Sequence, residues 1–152
     1  MAQFSNQAIL SYLGGTTESN IVTGELLDVL SAAKTAVYGT YGTDDKVTYV
    51  ISLVNTGNTE LTGITVSDDL GGYAVGATTV YPLNYLEGSV KYYTDGVLRT
   101  APTVTAGPPA VFGPLTIPAG GSAVLVYEAR TNGYTPQAAG STVNNTATVT
   151  GG

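Results

Sequence analysis

Thr48-Tyr49-Val50-Ile51-Ser52-Leu53-Val54 runs directly into Asn55-Thr56-Gly57-Asn58. The first stretch is rich in β-branched, aromatic and aliphatic residues, which suit a pleated, half-buried surface. The second is built from residues that tolerate positive φ or bond their own backbone. Strand then turn is the reading, and it repeats outward in both directions. Residues 61–70 form a second predicted strand, with Ile64, Val66, Asp68 and Leu70 on one face and Thr65, Ser67 and Asp69 on the other. Residues 90–93 and 97–99 flank Thr94-Asp95-Gly96, whose Asp-Gly pair is a strong hairpin signal. Ala119-Gly120-Gly121 turns into a strand over residues 122–129, and a last strand is expected over residues 142–150. Residues 102–118 are proline-rich and are expected to cross the surface as loop and short edge pieces. The one helix candidate, residues 25–34, has apolar positions at mixed spacing and reads equally well as extended chain. Short strands with turns about every 8–12 residues indicate an all-β, Ig-like antiparallel β-sandwich.

Composition narrows the function. The chain has 152 residues, enough for one domain with an extension, and only 11% are charged, against about a quarter in an ordinary soluble protein. Glycine, threonine and valine number 20, 24 and 17, a turn-rich and β-branched mixture. Histidine, cysteine and tryptophan are absent. That excludes a disulfide framework, a Cys or His metal site, a Ser-His-Asp triad and a thiol nucleophile. No enzymatic cluster emerges, and no cofactor is expected. A net charge of −6 with five basic side chains argues against nucleic acid as a partner. No apolar run approaches the roughly 18 residues of a membrane span, so no membrane insertion is expected. The first residues carry neither a basic n-region nor an apolar h-region, which leaves the export route open. Asp44-Asp45 and Asp68-Asp69 lack the ligand spacing of a calcium loop, so no metal is expected. Asn144-Asn145-Thr146 matches a glycosylation sequon with nothing else to support that route. Tyrosines such as Tyr92 and Tyr93 read as sandwich faces rather than a sugar platform.

Several stretches, in order, resemble a known family. They are Lys34-Thr35-Ala36, then residues 45–57 around the opening strand, then Gly63-Ile64-Thr65-Val66-Ser67-Asp68-Asp69-Leu70. Pro118-Ala119-Gly120-Gly121-Ser122 and Asn145-Thr146-Ala147-Thr148-Val149-Thr150 follow. Together they are similar to the Ig-like conserved repeat of bacterial and archaeal surface proteins. The likeness runs from about residue 30 to 151. It implies a structural or adhesive module of stalks, fibres and surface layers, outside the cell or on a cell or spore surface. The chain is one repeat long, so reach from a cell requires assembly with other copies.

The N-terminal 28 residues suggest how. Phe4-Ser5-Asn6-Gln7-Ala8-Ile9-Leu10-Ser11-Tyr12 overlays residues 143–151, with Asn6 matching Asn145 and Ala8 matching Ala147. In the resembled repeat, the strand equivalent to residues 145–150 is followed by a turn and a closing strand. Here that closing strand is missing, while residues 4–12, the turn 13–16 and residues 19–26, with Ile21, Val22 and Leu26, read like a spare terminal hairpin. Residues 1–28 are therefore expected to be an arm and residues 29–152 the sandwich. The arm either folds back on its own domain or adds to an open edge of a neighbouring subunit. The second option gives a head-to-tail homopolymer. The expected function is a structural subunit of an extracellular or spore-surface filament. The alternative is a stand-alone adhesion module that binds a ligand through residues 71–86 and 100–118.

One polar constellation stands out. Alternation puts Asn145 on the face of Ala147 and Val149, Asp68 on the face of Val66 and Leu70, and Lys34, if its segment is a strand, on the face of Leu30, Ala32 and Ala36. Three polar groups then point into one apolar interior, a costly arrangement unless they satisfy one another. Fimbrial domains similar to the repeat join a first-strand Lys to a last-strand Asn through an isopeptide bond, with an acid between them. The resemblance implies these roles for Lys34, Asn145 and Asp68. Burial favours the neutral amine as nucleophile and the protonated acid that polarises the amide. The competing reading is an edge lysine, a turn aspartate and an asparagine bonded to backbone.

Overall fold

The structure, a computed structural model, describes residues 3–4, 8–12, 15–19, 23–25, 29–37 and 41–151. It is all-β, with no helix among the described residues. Four short strands come first: β1 (Gln3–Phe4), β2 (Ala8–Tyr12), β3 (Gly15–Ser19) and β4 (Thr23–Glu25). β5 (Leu30–Ala36), β6 (Lys46–Asn55) and β7 (Leu61–Asp68) follow. The middle of the chain gives β8 (Tyr73–Val75), β9 (Thr78–Val80), β10 (Leu83–Tyr85), β11 (Lys91–Thr94), β12 (Val97–Arg99) and β13 (Val104–Thr105). The last three strands are β14 (Ala110–Ile117), β15 (Ser122–Thr131) and β16 (Ala147–Thr150).

Two sheets form the sandwich. One has the order β12-β11-β15-β6-β5, with β10 also paired to β15, and the other β1-β4-β16-β7-β14-β13. Their inner faces meet in one core: Tyr49, Ile51, Leu53, Leu125 and Tyr127 from the first, Ile64, Val66, Phe112, Leu115, Ile117 and Val149 from the second. Strict alternation along β6 and β15 puts every second residue inside. The Asp95-Gly96 hairpin between β11 and β12 forms with φ of 47° and 78°, positive at both central positions as a type I′ turn requires. The helix candidate at residues 25–34 is extended from Leu30 onward, as β5.

Two strand expectations are corrected. Residues 102–118 do not merely cross the surface. They contain β14, an eight-residue strand paired to both β7 and β13. Its alternation is hidden because the register slips between Phe112 and Leu115, so the buried positions pass from 110 and 112 to 115 and 117. The bulge absorbs Gly113-Pro114, a pair that regular pairing would not accept. The last strand is also shorter than expected, starting at Ala147 rather than residue 142. Residues 142–146 lead into it without ladder pairing, although Val143 and Asn145 are still buried.

Within the N-terminal stretch, β2 and β3 pair with each other, and β2 lies alongside β5. β4 pairs in parallel with β16 of the same chain, Thr148 opposite Thr23 and Val149 opposite Gly24, and β1 lies outside β4. Of the arm positions singled out in the sequence, Phe4 lies on β1, and Ala8, Ile9, Leu10 and Tyr12 lie on β2. Asn6, Ile21, Val22 and Leu26 lie outside the described residues.

The core role of β14 is open to a direct check. Phe112 is fully buried, edge-on to Tyr85 and 4.6 Å, centroid to centroid, from Tyr127. Phe112→Ala is expected to cost about 3–5 kcal/mol in urea unfolding, because little can collapse into the gap between two rings. Val97→Ala on the exposed edge strand β12 should change stability by less than about 0.5 kcal/mol.

Candidate functional site

Lys34, Asp68 and Asn145 converge in the interior. β5 is an edge strand of one sheet, and its Leu30, Ala32 and Lys34 face inward. β7 is central in the other sheet and ends at Asp68, with Ile64 and Val66 on the same inward face. Ala147 of β16 stands opposite Asp68, and Asn145 lies two residues upstream on the same face. All three polar residues are essentially inaccessible to solvent.

Asp68 is the centre. Its Oδ2 accepts a hydrogen bond from Lys34 Nζ at 2.7 Å and another from the Tyr127 hydroxyl. Its Oδ1 accepts the Leu70 backbone N–H at 2.9 Å. Leu70 sits at φ 55°, a left-handed conformation that costs a branched residue energy, and Gly71 follows at φ 72°. A Cβ on Gly71 would lie 2.7 Å from Val143, so glycine lets this turn press against the segment that carries Asn145. Lys34 Nζ also donates to the Asn145 main-chain oxygen at 3.1 Å and lies 4.6 Å from the centre of the Tyr49 ring. Burial pushes the Lys34 amine below its ordinary range, against the opposing pull of Asp68. Burial first, then the neighbouring Asp68, pushes the Tyr127 phenol well above its usual range.

The Asn145 side chain is the anomaly. Both its Nδ2 and its Oδ1 are buried without a hydrogen-bond partner, as is the Tyr49 hydroxyl. Burial pushes the Tyr49 phenol above its usual range, and the nearby Asn145 amide pulls the other way without meeting hydrogen-bond geometry. An orphaned buried polar group costs about 1–3 kcal/mol, so an unpartnered amide beside a buried amine stands out.

Asp69 does face away from this interior, but it holds the site's frame. Its backbone N–H donates to the Thr146 carbonyl at 2.9 Å, and its carboxylate accepts the Thr146 and Gly71 N–H groups. Thr146 is thereby clamped from both sides, which fixes Asn145 one residue earlier. Tyr49, Tyr127 and Asp69 were not expected at the site. Their alternation in the strands marks Tyr49 and Tyr127 as inward-facing, but no local signal says which inward neighbour they meet.

The other candidates have structural partners. Asp44 pairs with Arg130, and Asp45 accepts the Gly42 N–H. Among the described residues, no group of acidic side chains is placed to hold a metal ion, and no helix is long and apolar enough to cross a membrane. Tyr92 is buried in the sandwich and bonded to the Thr116 carbonyl. Residues from 78–85 and 106–108, with Asn132 and Tyr134, line an open cleft of about 470 Å³. The Asn132 amide there is engaged with Tyr81 and Asn84.

No protein-family model matches the chain, and no curated protein does. Among solved structures it is similar to the pilus backbone protein RrgB of Streptococcus pneumoniae, at 17% identity and a TM-score of 0.44. That likeness covers 60% of this chain and 21% of RrgB, so the chain spans about a fifth of that protein's length. It is also similar to the RrgA Jo.In complex, at 10% identity and a TM-score of 0.47, over 82% of this chain and 75% of the other.

The clamp by Asp69 has a pH signature. Burial raises its carboxyl above the ordinary 3.8, so the folded state keeps this proton to higher pH than the unfolded chain. Its contribution is fully favourable below pH 3.8 and is lost as pH rises through the elevated folded value. Asp69→Asn keeps an oxygen for the Gly71 and Thr146 N–H groups and discards the charge. It should match the unsubstituted protein in urea midpoint at about pH 3 and exceed it at about pH 7. A lower midpoint at about pH 7, with the two proteins equal at about pH 3, would show that the charge itself strengthens the clamp.

Proposed function

We propose that this protein is a structural subunit of a surface filament, pilin-like in role, whose sandwich is locked by an isopeptide bond between Lys34 and Asn145. The observation that carries the reading is the buried Asn145 amide, unpartnered on both polar atoms, beside a buried lysine already bonded to a carboxylate. As an ordinary core this is a poor arrangement. As the precursor of a bond it is well made.

The chemistry balances without an outside reagent. Lys34 Nζ bonds to Asn145 Cγ, and the Cγ–Nδ2 bond breaks. Of the three protons on the ammonium, one stays on the new amide nitrogen, one joins Nδ2 to leave as ammonia, and one passes to Asp68 Oδ2. The low-dielectric interior favours moving a proton from Nζ to Oδ2, since this turns an ion pair into two neutral groups. The neutral amine is the nucleophile. The protonated acid then polarises the amide carbonyl.

Assembly rests on the N-terminal arm of residues 1–28, with residues 29–152 as the sandwich. In this proposal a neighbouring subunit's arm takes the edge position beside β16, main-chain hydrogen bonds supply affinity, and alternate side chains set register. Such head-to-tail contacts build a filament when the rotation between subunits does not close. The second reading is a stand-alone surface adhesion module with the arm seated on its own domain, and the parallel pairing of β4 with β16 within one chain favours it.

Two measurements separate these. Negative-stain microscopy of the purified full-length chain should show filaments, and deletion of residues 1–28 should abolish them. Ordered fibres from the deletion would overturn strand donation, and uniform monomers of the intact chain that bind glycans or matrix proteins would support the second reading. Independently, intact mass should fall short of the sequence mass by one ammonia. Lys34→Ala, Asp68→Ala and Asn145→Ala should each restore the full value. The bond would close a chain separation of 111 residues, a constraint worth roughly 4–5 kcal/mol by the loop-entropy estimate for cross-links.

A further inference from the structure

Tyr127 is fully buried on β15, and its hydroxyl donates to Asp68 Oδ2, the same oxygen that receives Lys34 Nζ. A hydrogen bond donated to a carboxylate stabilises the charged form over the protonated one. Yet the cross-link proposed above requires Asp68 to take a proton. The third donor, the Leu70 N–H on Oδ1, has the same bias, but it belongs to the main-chain turn and is fixed by the fold. The Tyr127 hydroxyl is a side-chain choice, since phenylalanine would fill the same place in the ring cluster with Tyr49 and Phe112.

We infer that Tyr127 is a positioning residue that paces the Lys34–Asn145 cross-link, holding Asp68 as a carboxylate and so keeping the lysine in its unreactive ion pair. The inference rests on the cross-link reading. The titratable groups facing Asp68 from the surrounding elements are Lys34 of β5, Tyr49 of β6 and Tyr127 of β15, and Asp69, next in the chain, points to the opposite face. Lys34 and Tyr127 hold Oδ2 directly. The same hydroxyl has a use after the reaction. If ammonia departs carrying the proton, Asp68 is left as a buried carboxylate without its lysine partner, and Tyr127 and Leu70 remain as its donors. The arrangement slows the bond while the strands find their register and supports the acid once the bond is made.

The test follows the full-length chain after cell-free synthesis. Translation is stopped, samples are quenched in acid, and the fraction that has lost one ammonia is read by intact mass. Tyr127→Phe should link about tenfold faster than the unsubstituted chain, the scale of one hydrogen bond to a charged group. Site-specific 3,5-difluorotyrosine at position 127, a stronger donor of the same shape, should slow linkage. Tyr85→Phe removes a buried hydroxyl that has no partner and should leave the rate unchanged. Equal or slower linkage in Tyr127→Phe overturns the inference while leaving the cross-link intact. If Tyr127→Phe does not fold, the fluorinated chain decides, and equal or faster linkage there overturns it. No ammonia loss from the unsubstituted chain removes the cross-link and this inference together.

Discussion

The buried pair between Lys34 Nζ and Asp68 Oδ2, 2.7 Å apart with neither side chain exposed, is the constraint on which the rest of the interior depends. Taking both ions from water costs several kcal/mol each, and their attraction repays this only if further hydrogen bonds satisfy them. Asp68 collects those bonds: the lysine, the Tyr127 hydroxyl and the Leu70 N–H. The Leu70 bond holds a non-glycine residue in a left-handed conformation, so backbone strain and carboxylate solvation are met by the same contact. Gly71 then allows the turn to lie against Val143, which brings in the segment before β16. The pair thus shapes the turn, and the turn shapes the approach of Asn145.

Lys34 and Asp68 belong to different sheets, so their contact crosses the sandwich rather than running along a ladder. β5 is the first strand of its sheet in chain order and β16 is the last strand of the other. A covalent bond between residue 34 and residue 145 would let tension applied at the two ends of the domain bypass most of the strands between them. For a subunit of a filament that is a mechanical property, distinct from the entropic stabilisation of the folded state. In the proposed function, it would also give an energetically awkward polar cluster a reason to lie in the core.

The N-terminal strands bear on the other structural liability, the free edge. A strand at the end of a sheet presents unpaired N–H and C=O groups that attract another strand. β16 has β7 on one side, and its other side is covered by β4, with β1 beyond it. The ladder is blind to whether the covering strand comes from the same chain or a neighbour, because main-chain hydrogen bonds are the same in either case. The edge that β4 covers in the folded-back arrangement is therefore the same one that the proposed strand donation would use.

The sequence by itself determined the class of fold and the faces of its strands. Period-2 alternation in residues 46–55 and 61–70, separated by the turn Asn55-Thr56-Gly57-Asn58, leaves little freedom when one face must be buried, since a one-residue slip would turn the whole core outward. The same logic placed Lys34, Asp68 and Asn145 inside one by one. It misplaced β14, because a bulge at Gly113-Pro114 shifts the alternation by one residue and makes a buried strand look like a proline-rich loop. It also extended the last strand too far, since burial of Val143 and Asn145 continues where ladder pairing does not. Only the tertiary structure decided which inward-facing groups meet. Alternation fixes a side chain's face, whereas contact across the sandwich depends on how two sheets are stacked and on the turn at Leu70-Gly71. That is why the lysine, the acid and the amide were legible one by one as inward-facing and as a set only through the family resemblance, while Tyr127 on Asp68 and the Asp69 clamp on Thr146 were not legible at all.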